Sequence, residues 1–385
     1  MELSNAAKVF PQSGIRRMFE KASLYDDSIN MSLGEPGFIT PPQIIRVGAD
    51  NLLQGKTKYT PNAGIQPLRQ AVAEKLREEN GIACDPDKNI IITAGATQAL
   101  MLCMVTLVDA GDEVILPDPG WPDYLGQVLM ANAVPVAARL TEARGFKMTA
   151  DVIEPLITPR TKLLMLNSPS NPTGAMLTAD ELRDIADLVK RRNIFVISDE
   201  PYEKLVYDDN VHVSLGSFPG LEEYLITVNS FSKTYAMTGW RVGYVCANAE
   251  ITANLVKLHE NMIASINEAF QWAAIEALRS GREDVERMRQ SYAKNRELVV
   301  AGLNRIRGVS CLNPQGAFYV FPNVSGLGAN SVEVADMILA KTHVVTSPGS
   351  AFGPGGEGHL RISYANSYDA LAAALGRLEK AFGVK

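Results

Sequence analysis

The stretch KLLMLNSPSNPTGAMLTADELRDIADLVKRRNIFVISDEPY, residues 162–202, contains two apolar runs separated by a loop and a helical pattern. The runs KLLMLN (162–167) and IFVIS (194–198) have the length and composition of buried strands. Between them, residues 178–192 have the apolar spacing of a helix, and Thr178 and Glu181 form a candidate capping box. A strand, a crossover helix and a second strand predict parallel pairing within one sheet.

The same alternation continues on both sides of this stretch. Further apolar, β-rich runs are NIIIT (89–93), EVILP (113–117), VPVAA (134–138), LITVN (225–229) and VGYVC (242–246). Such runs, separated by helical patterns, predict an α/β fold with a largely parallel sheet that is covered on both faces.

After about residue 250 the pattern changes. Helical sequence dominates to about residue 306, and shorter strand runs follow at 316–322, 343–347 and 359–364. This change predicts a second, smaller α+β domain. The segment GPGGEG (353–358) lacks the GxGxxG spacing after a strand, and we interpret it as a flexible loop.

Composition excludes several classes of protein. The chain has 385 residues and a net charge of -6 without a long basic run, which argues against a nucleic-acid binder. Its longest nearly apolar run, residues 99–108, is far short of the roughly 20 residues that a membrane span needs. The first twenty residues lack the apolar region of a signal peptide. Four scattered cysteines and four histidines show no metal-ligand spacing, so we expect a soluble cytoplasmic protein without a metal.

Polar groups follow four of the predicted strands. They are AGATQ (94–98), SPSNPTG (168–174), DEPY (199–202) and SFSK (230–233). Singly, each has an ordinary explanation: Asp199 as a helix cap, Asn171 in a turn, Lys233 as a solvated lysine, Gly95 for packing. Because ligands of open parallel sheets bind beyond the carboxyl ends of the strands, their common placement indicates one ligand.

Pyridoxal phosphate needs the same set of groups. Its aldehyde reacts with a lysine, its ring nitrogen needs an acid, and its phosphate favours a helix N-terminus with hydroxyls and an arginine. A nucleotide would explain the helix N-terminus but would leave Lys233 unexplained.

Seven blocks also give the chain a resemblance to a known family. They are LGEPGF (33–38), GKTKYTPNAGIQPLR (55–69), PGWPDY (119–124), NSPSNPTG (167–174), SDEPY (198–202), SFSKTYAMTGWRVG (230–243) and GHLRISYA (358–365). In this order they resemble the class I aminotransferases, which are fold-type-I pyridoxal-phosphate enzymes of amino-acid metabolism.

The resemblance implies a fold and a division into domains. It implies a three-layer αβα large domain with a seven-stranded, mostly parallel sheet, and a smaller α+β domain. The predicted boundaries are an N-terminal segment (1–36) belonging to the small domain, a large cofactor-binding domain (37–283) and a small C-terminal domain (284–385).

The resemblance also implies roles toward the cofactor. Lys233 would be the Schiff-base lysine and would carry the substrate's α-proton. Asp199 would pair with the ring nitrogen, Asn171 and Tyr202 would bond the ring oxygen, and Trp121 would stack on the ring. The phosphate ligands would be Ala96, Thr97, Ser230 and Arg241.

Substrate and partner roles follow in the same way. Arg361, the backbone of Gly34 and the amide of Asn171 would hold the substrate's α-carboxylate. Tyr59 would reach the phosphate in the second subunit of a homodimer with shared active sites. Ile15 and Phe19 have two open interpretations, as walls of the side-chain pocket or as packing within the small domain.

Two positions bear on substrate choice. Dicarboxylate-specific members supply a second cation, yet residues 242–278 contain no arginine, and position 97, a lysine in one aspartate branch, is Thr97. We therefore expect neutral, aromatic or mixed amino acids, with aspartate possible, and 2-oxoglutarate as the acceptor.

Two alternatives remain beside aminotransfer. The same cofactor residues would serve another pyridoxal-phosphate reaction, such as that of a β-eliminating lyase. The effector-binding half of a transcription regulator is disfavoured, because no helix-turn-helix pattern precedes the fold and every catalytic position is filled.

Overall fold

The computed structural model describes residues 14–328 and 330–385, without the side chains of Ile15, Arg16 and Phe19. The helices of this part of the chain are α1 (Gly14–Ala22), α2 (Pro42–Leu53), α3 (Gln66–Glu79), α4 (Gly95–Leu107), α5 (Pro122–Met130), α6 (Ala150–Ile153), α7 (Ala179–Arg192), α8 (Phe231–Thr234), α9 (Ala249–Ile263), α10 (Glu268–Ser280), α11 (Arg282–Arg305), α12 (Ser331–Thr342) and α13 (Tyr368–Phe382). The strands are β1 (Ile29–Asn30), β2 (Ile90–Thr93), β3 (Glu113–Asp118), β4 (Val134–Arg139), β5 (Thr161–Asn167), β6 (Phe195–Asp199), β7 (Leu225–Ser230), β8 (Gly243–Cys246), β9 (Tyr319–Val320), β10 (Val344–Val345), β11 (Ser347–Pro348) and β12 (Leu360–Ser363).

The largest sheet has seven strands in the order β2-β8-β7-β6-β5-β3-β4. Strand β8 runs antiparallel to both of its neighbours, and the other neighbouring pairs are parallel. Each of the seven apolar runs between residues 89 and 246 forms one of these strands. The predicted α/β fold with a seven-stranded, mostly parallel sheet is therefore confirmed.

Helices cover both faces of this sheet. Helices α4, α5 and α9 pack on one face, where Ile91 and Val245 point. Helices α3, α7 and α10 pack on the other face, toward which Ile92 and Val196 point. Because successive strand residues face opposite sides, strands buried on both sides read as continuous apolar runs.

The crossover helix α7 begins as its sequence predicts. The hydroxyl of Thr178 accepts a 3.3 Å hydrogen bond from the amide of Glu181, whose carboxylate accepts one of 2.7 Å from the amide of Thr178. This capping box satisfies amides that have no partner within the first helical turn.

A second core lies against the carboxyl-end side of the large sheet. Its strands form an antiparallel sheet in the order β11-β12-β9, and β1 pairs in parallel with β10. Helices α11, α12 and α13 contribute to the same apolar cluster. The pairing of β1 with β10 joins residues 29–30 to this second core, and the predicted division into domains at residues 36 and 283 stays a prediction.

Two local expectations differ from the structure. The run HVVTS (343–347) forms two strands in different sheets, β10 and β11. The segment GPGGEG (353–358) is not a loose loop: its residues 354–356 form a 3-10 turn, and the amide of Gly355 donates a 2.6 Å hydrogen bond to Oδ1 of Asp118. None of the helices in the described part of the chain is long and apolar enough to cross a membrane.

Candidate active site

A cavity of about 290 Å³ opens where the carboxyl ends of β5, β6 and β7 meet the second core. It brings together most of the residues that the sequence singled out: Gly34, Ala96, Thr97, Trp121, Asn171, Asp199, Tyr202, Ser230, Lys233, Arg241 and Arg361. Three predicted residues are not among them. Tyr59 is 88% exposed on the surface, and the side chain of Ile15, like that of Phe19, lies outside the described residues.

Lys233 lies in the short helix α8, directly after β7. Its Nζ donates a 2.5 Å hydrogen bond to the carbonyl oxygen of Gly34. Burial, followed by the nearby charge of Arg361, lowers the pKa of Lys233 to about 8. An ordinary lysine is fully protonated at this pH, whereas Lys233 is partly a neutral amine that can act as a nucleophile or a base.

Asp199 ends strand β6 and is buried in the floor of the cavity. The hydroxyl of Tyr124 donates a 2.6 Å hydrogen bond to its Oδ2, while Oδ1 has no partner among the described residues. Burial raises the pKa of Asp199 to about 7. A buried carboxylate oxygen without a partner is costly, so this site favours a ligand with a positively charged hydrogen-bond donor.

Tyr124 was not assigned a role from the sequence. The motif PGWPDY contains it: Tyr124 lies in the first turn of α5, three residues after Trp121, which precedes the helix in an extended conformation. The two rings meet edge to face, with centroids 5.3 Å apart. The closeness of Tyr124 to Trp121 within one motif was the available signal.

Arg361, on strand β12, reaches the cavity from the second core and is only 2% exposed. It donates hydrogen bonds to Oδ1 of Asn171 (3.0 Å) and to the carbonyl oxygen of Ser32 (2.5 Å). Its guanidinium carbon lies 4.6 Å from the ring centroid of Tyr319 and 4.6 Å from that of Phe352. No acidic side chain of the described chain pairs with it, so it offers a planar, uncompensated cation for a carboxylate.

An anion site lies at the other end of the cavity. Gly95 opens helix α4 with a φ of 72°, and a side chain there would collide with Arg241, because an added Cβ would lie 2.7 Å from Nη2. Arg241 donates hydrogen bonds to the carbonyl oxygens of Thr238 (2.9 Å) and Ala94 (3.2 Å) and forms no ion pair within the described residues. The hydroxyl of Ser230 lies nearby. A helix N-terminus, a hydroxyl and a free arginine form a site for a phosphate-like anion.

Tyr202 and Tyr319 meet inside the cavity, with their hydroxyl oxygens 3.0 Å apart. Tyr319 lies on β9, within the run GAFYVFP, which the sequence identified only as a strand. Its position depends on how the second core packs against the sheet, which no local pattern encodes.

A buried polar network lies behind the DEPY turn. Lys75 forms an ion pair with Glu203, and His212 lies 3.2 Å from Oε2 of Glu200. Burial tends to raise the pKa of Glu203, but the charges of Lys75, His212 and Lys204 together outweigh it and lower the pKa to about 2. Carboxylate oxygens of Glu200 and Glu203 and a ring nitrogen of His212 lie within 4.8 Å of one another. The network anchors the turn that carries Asp199 and Tyr202.

Comparison with known proteins gives a consistent result. Residues 26–378 match the family described as aminotransferase class I and II. The chain is 40% identical to an aspartate aminotransferase of Pyrococcus abyssi, over 99% of this chain and 98% of that protein. It is 39% identical to aromatic-amino-acid aminotransferase 2 of Thermococcus litoralis, with the same coverage.

A solved structure agrees in fold. The aspartate aminotransferase of Thermus thermophilus, solved with maleate, matches with a TM-score of 0.94 at 36% identity, over 99% of this chain and 100% of that chain. The match therefore includes both the large sheet and the second core. The chain belongs to the aminotransferase class I and II family, whose members transfer an amino group between an amino acid and a 2-oxo acid.

Proposed function

We propose that the protein is a pyridoxal-phosphate-dependent aminotransferase that acts on neutral or aromatic L-amino acids. The observation that carries the proposal is one cavity that contains a buried lysine of lowered pKa, together with a carboxylate oxygen and an arginine that have no partner of opposite charge among the described residues.

The residues fit this cofactor on structural grounds. Oδ1 of Asp199, which has no partner among the described residues, is suited to accept a hydrogen bond from a protonated ring nitrogen. The N-terminus of α4, Ser230 and Arg241 are suited to the phosphate, and Trp121 to the ring face. When bound, pyridoxal phosphate supplies a ring that withdraws electrons from the substrate's α-carbon.

The chain's own residues supply binding and proton transfer. Arg361 binds the α-carboxylate through its planar fork and so fixes the α-carbon relative to Lys233. Lys233 would hold the cofactor through Nζ, and when it is not attached its Nζ would take the substrate's α-proton and later deliver it. A pKa of about 8 suits both steps, because the neutral and the protonated forms are both populated near neutral pH.

The choice of substrate follows from the charges that line the cavity. Its described cations are Lys233, Arg241 and Arg361, and each has a proposed partner in the cofactor or the α-carboxylate. Thr97 offers no charge to a distal carboxylate. We therefore propose neutral, aromatic or mixed donors first and aspartate second, with 2-oxoglutarate as acceptor.

We further propose a cytoplasmic homodimer with shared active sites. Tyr59 is 88% exposed, and the apolar side chains of Ile39 and Leu53 are 85% and 87% exposed. The segment that carries Tyr59 packs on the chain between α9 and α10, where the amide of Thr60 donates to Oγ of Ser265 at 3.3 Å. Exposed apolar groups of this size are typical of an interface, and Tyr59 would then reach the partner subunit's phosphate.

A half-reaction screen tests the proposal. Purified protein is loaded with pyridoxal phosphate and mixed with single amino acids while the visible absorption of the bound cofactor is followed. We expect stoichiometric conversion to the amine form of the cofactor, release of a 2-oxo acid and no ammonia. Ammonia and pyruvate from a β-substituted amino acid would instead identify a β-eliminating lyase.

A further inference from the structure

Tyr319 contacts groups from both halves of the cavity. Its hydroxyl oxygen lies 3.0 Å from that of Tyr202, which the family resemblance places at the cofactor's ring oxygen. Its ring centroid lies 4.6 Å from the guanidinium carbon of Arg361, which the proposed function assigns to the substrate. A side chain at Gly34 would displace it, because an added Cβ would lie 2.6 Å from the Tyr319 oxygen.

The hydroxyl of Tyr202 carries a single proton. If Tyr202 donates that proton to the cofactor's ring oxygen, the oxygen of Tyr202 is left to accept a hydrogen bond from Tyr319. A donor at this oxygen makes the Tyr202 hydroxyl a stronger donor in turn, because hydrogen bonds in a chain polarise one another. Tyr319 is 1% exposed, so water does not take its place.

The ring of Tyr319 contacts a different group, the guanidinium of Arg361. Together with Phe352 it places two aromatic rings at the Arg361 guanidinium, each 4.6 Å away. Asn171 and Ser32 fix the edges of the guanidinium through hydrogen bonds. Strand pairing sets the backbone of this arrangement, since Tyr319 on β9 pairs with Ser363 on β12, two residues after Arg361.

We propose that Tyr319 is a positioning residue that acts at two points: its hydroxyl sets the donor strength of Tyr202 toward the cofactor, and its ring orients Arg361 for the substrate carboxylate. This inference rests on the proposed function. In this proposal Tyr319 acts through Tyr202 and Arg361, so it differs from a catalytic residue in its expected kinetic signature.

Two substitutions separate the hydroxyl from the ring. Tyr319→Phe keeps the ring over Arg361 and removes only the donor to Tyr202. Tyr319→Met fills a similar space and removes both. The matched control is Tyr364→Phe, which removes another buried hydroxyl of the same core, one that donates to the carbonyl oxygen of Ala317 at 3.2 Å.

The first readout is the pH titration of the bound cofactor's visible absorption. For Tyr319→Phe we expect the midpoint of this titration to rise by about half a pH unit, because a weaker donor at Tyr202 stabilises the deprotonated form of the bound cofactor less. This rise is roughly a threefold change in the cofactor's ionisation equilibrium. The KM for the amino acid should stay within about twofold of wild type, because the ring over Arg361 remains. In a Tyr202→Phe background, Tyr319→Phe should cause no further change in the midpoint.

The second readout is the binding of 3-phenylpropionate, a carboxylic acid without an amino group. Tyr319→Met should weaken it about tenfold and raise the amino-acid KM to a similar extent, a size typical of a desolvated cation–π contact. Thermal melting of each variant against Tyr364→Phe controls for general loss of stability.

The hydroxyl's role, the ring's role and the proposed function can each be overturned by a separate result. An unchanged midpoint in Tyr319→Phe, or a further change in the Tyr202→Phe background, overturns the hydroxyl's role. An unchanged KM and inhibitor affinity in Tyr319→Met overturns the ring's role. A wild-type protein that does not take up pyridoxal phosphate overturns the proposed function itself, before any variant is compared.

Discussion

The hydroxyl of Tyr124 donates a 2.6 Å hydrogen bond to one oxygen of Asp199, and the other oxygen of this carboxylate has no partner in the described chain. Tyr124 thus fixes the carboxylate while leaving its second oxygen free for a ligand. Burial raises the pKa of Asp199 to about 7, and the hydrogen bond from Tyr124 opposes that shift.

Replacing Tyr124 by Phe should weaken cofactor binding. The substitution keeps the aromatic contact with Trp121 and removes a donor to a buried charge, which costs about 2 kcal/mol or roughly thirtyfold in Kd. Equilibrium dialysis of pyridoxal phosphate measures the effect. Tyr207→Phe, outside the cavity, is the control, and an unchanged Kd for Tyr124→Phe would show that Asp199 does not meet the ring nitrogen.

Lys233→Ala should abolish turnover. Loss of the residue that moves the α-proton is expected to reduce kcat by at least about a thousandfold. Borohydride reduction followed by peptide mass analysis should find the cofactor attached at Lys233 in wild type and at no position in the variant. The exposed Lys257, replaced by Ala, is the control; attachment at another lysine in the Lys233 variant contradicts the assignment.

Arg361→Lys should impair substrate binding more than cofactor binding. Lysine retains the charge but loses the planar fork that Asn171 and Ser32 position, so the amino-acid KM should rise about thirtyfold or more. Steady-state kinetics give the KM, and the visible spectrum of the bound cofactor should be unaltered. Arg377→Lys, on the surface, is the control. A wild-type KM in the Arg361 variant would place the carboxylate elsewhere.

Tyr59→Phe should loosen the cofactor although Tyr59 does not line the cavity of its own chain. If its hydroxyl reaches the partner subunit's phosphate, its loss should raise the Kd of pyridoxal phosphate about tenfold. Tyr368→Phe, a second exposed tyrosine (52% exposed), should have no effect. Sedimentation should give twice the chain mass of 41.8 kDa, and full activity at the monomer mass would rule out a shared site.

Glu203→Gln should destabilise the protein in a pH-dependent way. The folded-state pKa of Glu203 is about 2, below its ordinary value of 4.5. Its ion pair therefore stabilises the fold fully above pH 4.5, and this contribution is lost as the pH falls through about 2. We expect a loss of about 3 kcal/mol at pH 7 that shrinks steadily below pH 4.5.

Urea unfolding of wild type and variant at pH 7, 4 and 3 measures this difference. Glu222→Gln, on the surface, serves as the control. A stability difference that does not change between pH 7 and pH 3 would mean that Lys75 does not hold Glu203 in its charged form.

The sequence was informative about those site residues whose positions depend only on the order of strands in the sheet. Lys233, Asp199 and Asn171 follow strands directly, and parallel strands bring such positions to one edge without any knowledge of packing. The capping box at Thr178 and Glu181 was equally local. The positions of all these groups depend on contacts within a short stretch of chain or on the topology of one sheet.

The residues that were missed depend on contacts between distant elements. Tyr319 lies 117 residues from its hydroxyl partner Tyr202, whose role the sequence did predict, and Lys75 lies 128 residues from Glu203. The interpretation of GPGGEG (353–358) as a flexible loop was wrong for the same reason, because Asp118 on a strand of the large sheet accepts the hydrogen bond that holds it. Pairings of this kind follow from how two cores pack, which periodicity in one sequence does not reveal.

The pairing of β1 with β10 joins Ile29 to Val344 and Asn30 to Val345. The ribosome synthesises the N-terminus first, so residues 29–30 cannot pair until more than three hundred later residues have been added. Ser32, two residues further on, supplies the carbonyl oxygen that holds Arg361. The large sheet can be assembled during synthesis, but Arg361, proposed to bind the substrate's carboxylate, is fixed only when translation is almost finished, so a truncated chain would lack this site.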